Sequence, residues 1–230
     1  MDDLLQEQLD YYRARAAEYD QWALRQGRYD YGPELNRLWH DQLAEVRHAL
    51  LRCGPLESAL ELACGTGIWT EQLLGISQRV HAIDAAPEML AINRAKLQSD
   101  RVHYEQSDLF AWRPRQEYDL VFCGFWLSHV PPERMSPFLR NVAQALKTGG
   151  RLFLVDSRRE VYAGASDHSL RDPDSDSILD ERVLNDGRRF TIVKVFHEPE
   201  TLGASLAAQG LRPSLHLTES FFIYGWADKP

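Results

Sequence analysis

Apolar and aromatic residues recur at Leu5, Leu9, Tyr12, Ala16 and Tyr19, spaced so that they share one face of a helical period. The pattern predicts an amphipathic helix over about residues 3–26. Gly27 and then Tyr31-Gly32-Pro33 interrupt it, and Pro33 suits the first position of a second helix, in which Leu35, Trp39, Leu43, Val46 and Leu50 share a face. Gly54-Pro55 ends that helix. Two helices ahead of the first strand suggest a cap over the carboxyl edge of a sheet.

From residue 58 onward the period changes and short β-rich runs alternate with helical ones. Strands are expected at about 58–63, 79–83, 102–106, 119–123 and 152–155, with helices following the first two and the fourth. The run Asp119–Cys123 is apolar throughout after its aspartate, as a strand covered on both faces requires. Strands alternating with helices imply a parallel sheet built by right-handed crossovers. Residues 157–187 are polar, rich in Asp, Ser and Arg, and read as a long surface insertion. A strand-like run, Phe190–Phe196, and a helix from about Pro199 to Gln209 follow it. Leu211–Leu217 and Phe221–Ala227 are separated by so few residues that they can pair only antiparallel. One structural domain is expected, with residues 1–56 as a helical cap and 57–230 as the core.

Composition narrows the classes of partner. The chain of 230 residues carries 26 basic and 34 acidic side chains, a net charge of −8, with no basic stripe, which disfavours a nucleic-acid partner. Three cysteines, Cys53, Cys64 and Cys123, have neither CxxC nor zinc-ligand spacing and read as reduced thiols. The acidic start and the lack of an apolar run near ~20 residues give the expectation of a cytoplasmic protein without membrane insertion. No metal site is expected: Asp172-x-Asp174-x-Asp176 resembles a calcium loop, but the required glycine is missing and Val183 stands where the bidentate Glu belongs.

The polar residues that punctuate the strands carry the chemistry. In open parallel sheets a ligand lies outside the carboxyl ends of the strands. Those ends hold Glu61 with Gly65-Thr66-Gly67, then Asp84, then Asp108, then Phe125 to His129. Glycines between strand and helix allow close approach of a ligand, and Asp84 is spaced from them to accept hydrogen bonds from ribose hydroxyls. Asp108 suits an exocyclic adenine amine, so the ligand is an adenosine derivative. Thr70 stands where a dinucleotide turn has its third glycine, and Glu61 would repel a pyrophosphate but can reach an ammonium group directly or through water, which makes it a cofactor-binding candidate. A nicotinamide-dependent oxidoreductase is the alternative that shares this βαβ unit.

Glu61-Leu-Ala-Cys-Gly-Thr-Gly67 resembles motif I of the class I S-adenosylmethionine-dependent methyltransferases, Val80–Leu90 motif II, Gln106–Leu109 motif III, and Tyr118–Phe122 motif IV. Leu146–Val155 is similar to the family's entry into strand five, and the whole is nearest to the small-molecule branch that includes the quinone-biosynthesis methyltransferases. The resemblance implies a Rossmann-like, mostly parallel seven-stranded sheet with helices on both faces and a closing antiparallel hairpin. It implies S-adenosylmethionine as cofactor, S-adenosylhomocysteine as product, and a small-molecule acceptor methylated at O, N, S or C. By the same resemblance Ala63, Gly65 and Gly67 lie along the methionine part, Asp84 holds the ribose, Met89 packs on the adenine, Asp108 and Leu109 fix its edge, and Phe125 borders the sulfonium.

His129 follows the fourth strand where the methyl group must be delivered and is the candidate catalytic base; capping the next helix is the competing reading. Absence of an unambiguous base leaves open a cofactor-binding protein without methyl transfer. Tyr11, Tyr12, Tyr19, Tyr29 and Tyr31, interleaved with Arg13, Arg15 and Arg28, crowd the cap and can serve either packing or ligand contact. Trp126 can wall the acceptor pocket or fill the core.

Overall fold

Strands as apolar as these must be covered on both faces, and the computed structural model, which describes residues 1–166 and 177–230, shows how. Seven strands form one sheet in the order β3 (Val102–Gln106), β2 (Ser77–Asp84), β1 (Leu56–Leu62), β4 (Tyr118–Gly124), β5 (Leu146–Ser157), β9 (Phe222–Asp228) and β8 (Arg212–Leu217). The first five run parallel; β9 is antiparallel to β5 and β8 to β9. The chain winds outward from β1 to β3 and then crosses to β4, so the sheet switches direction between β1 and β4, where a crevice opens at the carboxyl ends.

Alternation along β4 divides the core in two. Val121 and Cys123 face helices α6 (Pro132–Gln144) and α7 (Pro199–Ala207) through Phe138, Leu139, Leu202 and Leu206. Leu120 and Phe122 face α3 (Pro33–Leu51) and α4 (Ile68–Leu74) through Trp39, Val46, Trp69 and Leu73. A further helix, α5 (Pro87–Leu97), follows β2. Among the described residues no helix is long and apolar enough to cross a membrane.

Two segments differ from the sequence expectation. The single helix expected over about 3–26 is broken into α1 (Asp2–Arg15), a 3-10 turn at Ala16–Glu18 and α2 (Asp20–Leu24), closed by Arg25 in the left-handed conformation at φ 55°. The break follows from what the bend secures: Asp20 accepts a short hydrogen bond from the Thr66 hydroxyl and pairs with Lys96 at 2.7 Å, which draws the chain down onto the glycine turn. The polar insertion also contains structure. Leu179–Val183 forms β6, paired antiparallel with β7 (Arg189–Val193) as a separate two-stranded sheet. With only Leu179 and Val183 apolar in five half-buried or exposed positions, β6 offers no readable period. The Asp172-x-Asp174-x-Asp176 stretch lies outside the described residues.

Helix α1 lies along β7, and its polar residues complete that edge. The Gln8 side chain accepts from the Val193 N–H at 3.0 Å and donates to the His129 carbonyl at 3.2 Å, while Glu7 accepts from the Thr191 N–H at 2.6 Å. Gln8 is 3% exposed, so both backbone groups depend on it for a partner. Replacement by the near-isosteric methionine strands them: Gln8→Met is expected to lower the unfolding free energy by about 1–3 kcal/mol in a denaturant titration, with faster amide exchange across α1. Unchanged stability and exchange would show that α1 is held otherwise.

Candidate active site

The crevice at the carboxyl ends is a cleft of about 380 Å³. Ala63, Gly65, Asp84, Met89, Asp108, Leu109, Phe125 and His129, all expected from the sequence, line it together. Ala63 at φ 56° and Gly65 at φ 52° turn the backbone sharply at the end of β1. Asp84 fixes this turn from the neighbouring strand: one carboxylate oxygen accepts the Gly65 N–H at 2.8 Å and the other the Ala86 N–H at 2.9 Å. Each oxygen keeps a lone pair for a ligand hydroxyl. Burial raises the Asp84 carboxyl to about 6, against the opposing pull of those two N–H groups. Asp108 caps its own turn by accepting the Phe110 N–H at 2.9 Å, and Met89 and Leu109 supply apolar walls between the two acids. Carboxylates at two ends of an apolar slot suit a nucleoside, whose ribose and base edge donate while its ring needs a dry surface.

Glu61 and Gly67 are not among the residues lining this cleft. Glu61 is 2% exposed and accepts from the Thr70 hydroxyl at 2.6 Å; Thr70 accepts from the Asn93 amide at 2.8 Å, and the Tyr104 hydroxyl donates to Asn93 at 2.9 Å. Burial pushes the Glu61 carboxyl up to about 8, so it is held as a neutral acid behind the turn. Gly67, at φ 92°, is where a Cβ would sit 2.6 Å from Asn93 Oδ1. Its glycine is thus required by close packing of the turn on α5. The third glycine missing at Thr70 is replaced by this hydrogen-bonded chain.

A second cavity of about 110 Å³ adjoins the cleft, and the two share Tyr12, Tyr19, Phe125 and His129. Phe125 sits at φ 54°, held by edge contacts to Trp22 at 4.6 Å and Phe222 at 5.8 Å between ring centres. His129 is 6% exposed. Its Nδ1 faces the Val193 carbonyl at 2.7 Å, which can only accept, so Nδ1 carries the proton and Nε2 accepts from the Tyr12 hydroxyl at 2.7 Å. Burial and the charge of Lys194 lower the imidazole to about 3. The expectation that His129 takes up a proton near neutral pH does not fit this environment. Lys194 is itself buried, bonded to Ser128 Oγ at 2.8 Å and 3.6 Å from Asp156.

Several lining residues carry no local signal in the sequence. Leu5 and Leu9 reach the cleft from the apolar face of α1, and Phe110 and Arg134 close its outer side, with the guanidinium 5.1 Å from the Phe110 ring centre. Leu5 and Leu9 belong to a helical stripe that reads as core packing, and nothing local sets Phe110 or Arg134 apart. The crowded tyrosines and arginines of the cap are the sequence feature that points to this part of the site. Trp126 lines the cleft, whereas Trp69 and Trp112 are buried in the core.

A family model described as a methyltransferase domain matches residues 59–150. A ubiquinone biosynthesis O-methyltransferase from Xanthomonas euvesicatoria pv. vesicatoria (strain 85-10) is 35% identical over 146 residues, 56% of this chain and 60% of that protein. One of the same description from Xanthomonas campestris pv. campestris (strain B100) is 34% identical over 116 residues, 48% of this chain and 47% of that protein, so the chain spans about half to three fifths of these relatives. The structure of DhpI with SAH superposes over 99% of this chain and 97% of that one, at 35% identity and a TM-score of 0.78. The complex of DhpI with SAM and HEP gives 36% identity over 99% and 98%, at a TM-score of 0.78. With the strand-end acids, the glycine turn and near-complete coverage of a relative that binds SAM, the chain belongs to the class I S-adenosylmethionine-dependent methyltransferases.

Proposed function

We propose that this protein transfers a methyl group from S-adenosylmethionine to an oxygen atom of a compact small molecule. The observation that carries the reading is the pair of cavities meeting at Tyr12, Tyr19, Phe125 and His129, one shaped for a nucleoside and the other separate from it. The oxygen follows from the curated O-methyltransferase relatives. When bound, the cofactor supplies an electrophilic methyl group on a positively charged sulfur. Asp84 is assigned to the ribose hydroxyls, Asp108 and Leu109 to the adenine edge, Met89 to the ring, Ala63 and Gly65 to the methionine part and Phe125 to the sulfonium. Glu61 and Gly67 act from behind, holding the turn in shape.

His129 and Tyr12 enter this scheme as a neutral pair. The Val193 carbonyl fixes the imidazole tautomer, and the imidazole in turn fixes the Tyr12 hydroxyl at the boundary between the cavities. Positioning an acceptor in line with the methyl group is worth several orders of magnitude in rate, and a leaving group as good as a sulfonium asks for little acid assistance.

The function itself is tested by incubating the protein with S-adenosylmethionine and a panel of small hydroxyl- and oxyanion-bearing compounds. Acceptor-dependent formation of S-adenosylhomocysteine with a product heavier by one methylene is expected; cofactor binding with no transfer to any acceptor would favour a binding protein. Asp84 gives a second test. Below about pH 6 its carboxyl is protonated in the free protein and loses acceptor strength, so affinity for S-adenosylhomocysteine is expected to be full near neutrality and to weaken as the pH falls through 6, by at most about tenfold per unit. Glu61 stays protonated across that window, and Asp84→Asn is expected to bind weakly with no such slope. A pH-independent affinity in the parent would remove Asp84 from the ribose. For His129, nitrogen chemical shifts are expected to remain those of a neutral Nδ1–H imidazole from about pH 8 to about pH 5; titration in that range would restore it as an ordinary base.

A further inference from the structure

The two cavities differ in charge. The larger cleft is lined by Asp2, Asp84 and Asp108 against one cation, Arg134. The smaller chamber is lined by Arg15, Arg28, Arg158, Arg159, Arg182 and Lys194 against Glu160 and Asp180. Six basic side chains against two acidic ones, around about 110 Å³, stand out in a chain whose net charge is −8. Part of this charge is already engaged: Arg182 pairs with Asp180 at 2.8 Å, Lys194 lies near Asp156, and Arg158 donates to the Thr218 and Glu219 carbonyls at 2.6 and 2.9 Å.

Arg15 is different. Its guanidinium lies among phenol rings, 4.9 Å from the centre of Tyr19, 5.6 Å from Tyr11 and 5.8 Å from Tyr29. Its side-chain hydrogen bond among the described residues goes to the Tyr29 hydroxyl at 3.1 Å, and its buried Nε has no partner. No carboxylate lies within ion-pair distance of it among the described residues. Aromatic faces and one phenol compensate a guanidinium only in part, and an unmatched buried N–H costs about 1–3 kcal/mol. Such a group is set to receive a planar or tetrahedral oxyanion through two N–H donors, the geometry for which Arg is suited and Lys is not. Arg159, exposed at the rim and stacked 5.0 Å from the Phe196 ring, likewise has no carboxylate partner among the described residues.

We infer that the smaller chamber is an oxyanion site, and that the methyl acceptor carries a carboxylate or phosphoryl group bound there by Arg15. The inference rests on the proposed methyl transfer for the word acceptor; the anion site itself rests on the chamber. Its basic lining is separated from the acidic cleft by Tyr12, Tyr19, Phe125 and His129, so an anionic group is drawn to one side of that wall and the sulfonium to the other. The small volume selects an acceptor with its charged group close to the reacting atom.

Calorimetric titration of inorganic phosphate and of acetate into the protein, both free and saturated with S-adenosylhomocysteine, tests this. Millimolar or tighter binding of at least one anion to the saturated protein is expected, and the tighter of the two identifies the acceptor's group as phosphoryl or carboxylate. Arg15→Met is expected to weaken that anion by about tenfold or more and Arg15→Lys by less, while S-adenosylhomocysteine affinity changes less than about threefold. If Arg15→Met fails to fold, Arg159→Gln at the rim carries the test, with a weakening of a few-fold. No anion binding to the parent, or anion binding unchanged in Arg15→Met or in the substitute Arg159→Gln, overturns the inference. Loss of S-adenosylhomocysteine affinity in Arg15→Met, with phosphate competing against it, also overturns it by giving Arg15 to the cofactor's own carboxylate. Failure of the parent to bind S-adenosylhomocysteine would sink the methyl-transfer reading, whereas the phosphate titration of the free protein still decides the site.

Discussion

The hydrogen bonds of Gln8 hold the site together, because they attach α1 to β7 and to the turn that carries His129. Four residues later on the same helical face, Tyr12 meets His129, and one turn beyond that Arg15 enters the smaller chamber. Displacing α1 would therefore merge the two cavities and remove Tyr12 and Arg15 together. The helix contributes little through its own propensity, with a sparse apolar face and Gln8 and Tyr11 as its buried residues. Its place comes from edge hydrogen bonds and from Leu184 and Ile192 packing beneath Tyr11.

Opposite α1, the floor of the site is held by strain and its compensation. Ala63 and Phe125 both adopt positive φ, each at a cost of order 1–2 kcal/mol for a residue with a side chain. Asp84 stabilises the first bend through the Gly65 N–H, and the Phe125 N–H donates to the Val155 carbonyl at 2.7 Å to secure the second. Behind them the chain from Tyr104 through Asn93 and Thr70 to Glu61 occupies the space that a third glycine would leave. The bent backbone on one side and the docked helix on the other thus frame the boundary between the two cavities.

The sheet was legible because its strands are either continuous apolar runs or end in a polar residue followed by Gly, Pro or a helical period. β6 was not, since its half-exposed, charge-rich strand takes its pairing from β7, and β7 in turn is held by α1, which is distant in sequence. Asp84, Met89, Asp108 and Phe125 were readable as strand-end residues in a parallel sheet, but Glu61 and Gly67 show the limit of that reasoning. A motif fixes which residues are near a turn and not which of them face outward. Burial likewise decides the state of His129, and no spacing along the chain reveals that Lys194 and the Val193 carbonyl stand beside it. Arg15 could be seen as part of a basic, aromatic cap, whereas its lack of a carboxylate partner among the described residues is a tertiary fact.

The charge difference between the cavities gives the boundary its meaning in the proposed reading: acids on the side assigned to a cationic donor, arginines on the other, and neutral Tyr12, Tyr19, Phe125 and His129 between. A crystal structure of the protein with S-adenosylhomocysteine tests this most directly. The sulfur is expected to face those four residues with the ribose on Asp84, leaving the arginine-lined chamber open beyond it. A sulfur directed away from them, or a homocysteine tail filling that chamber, would contradict the division of donor from acceptor.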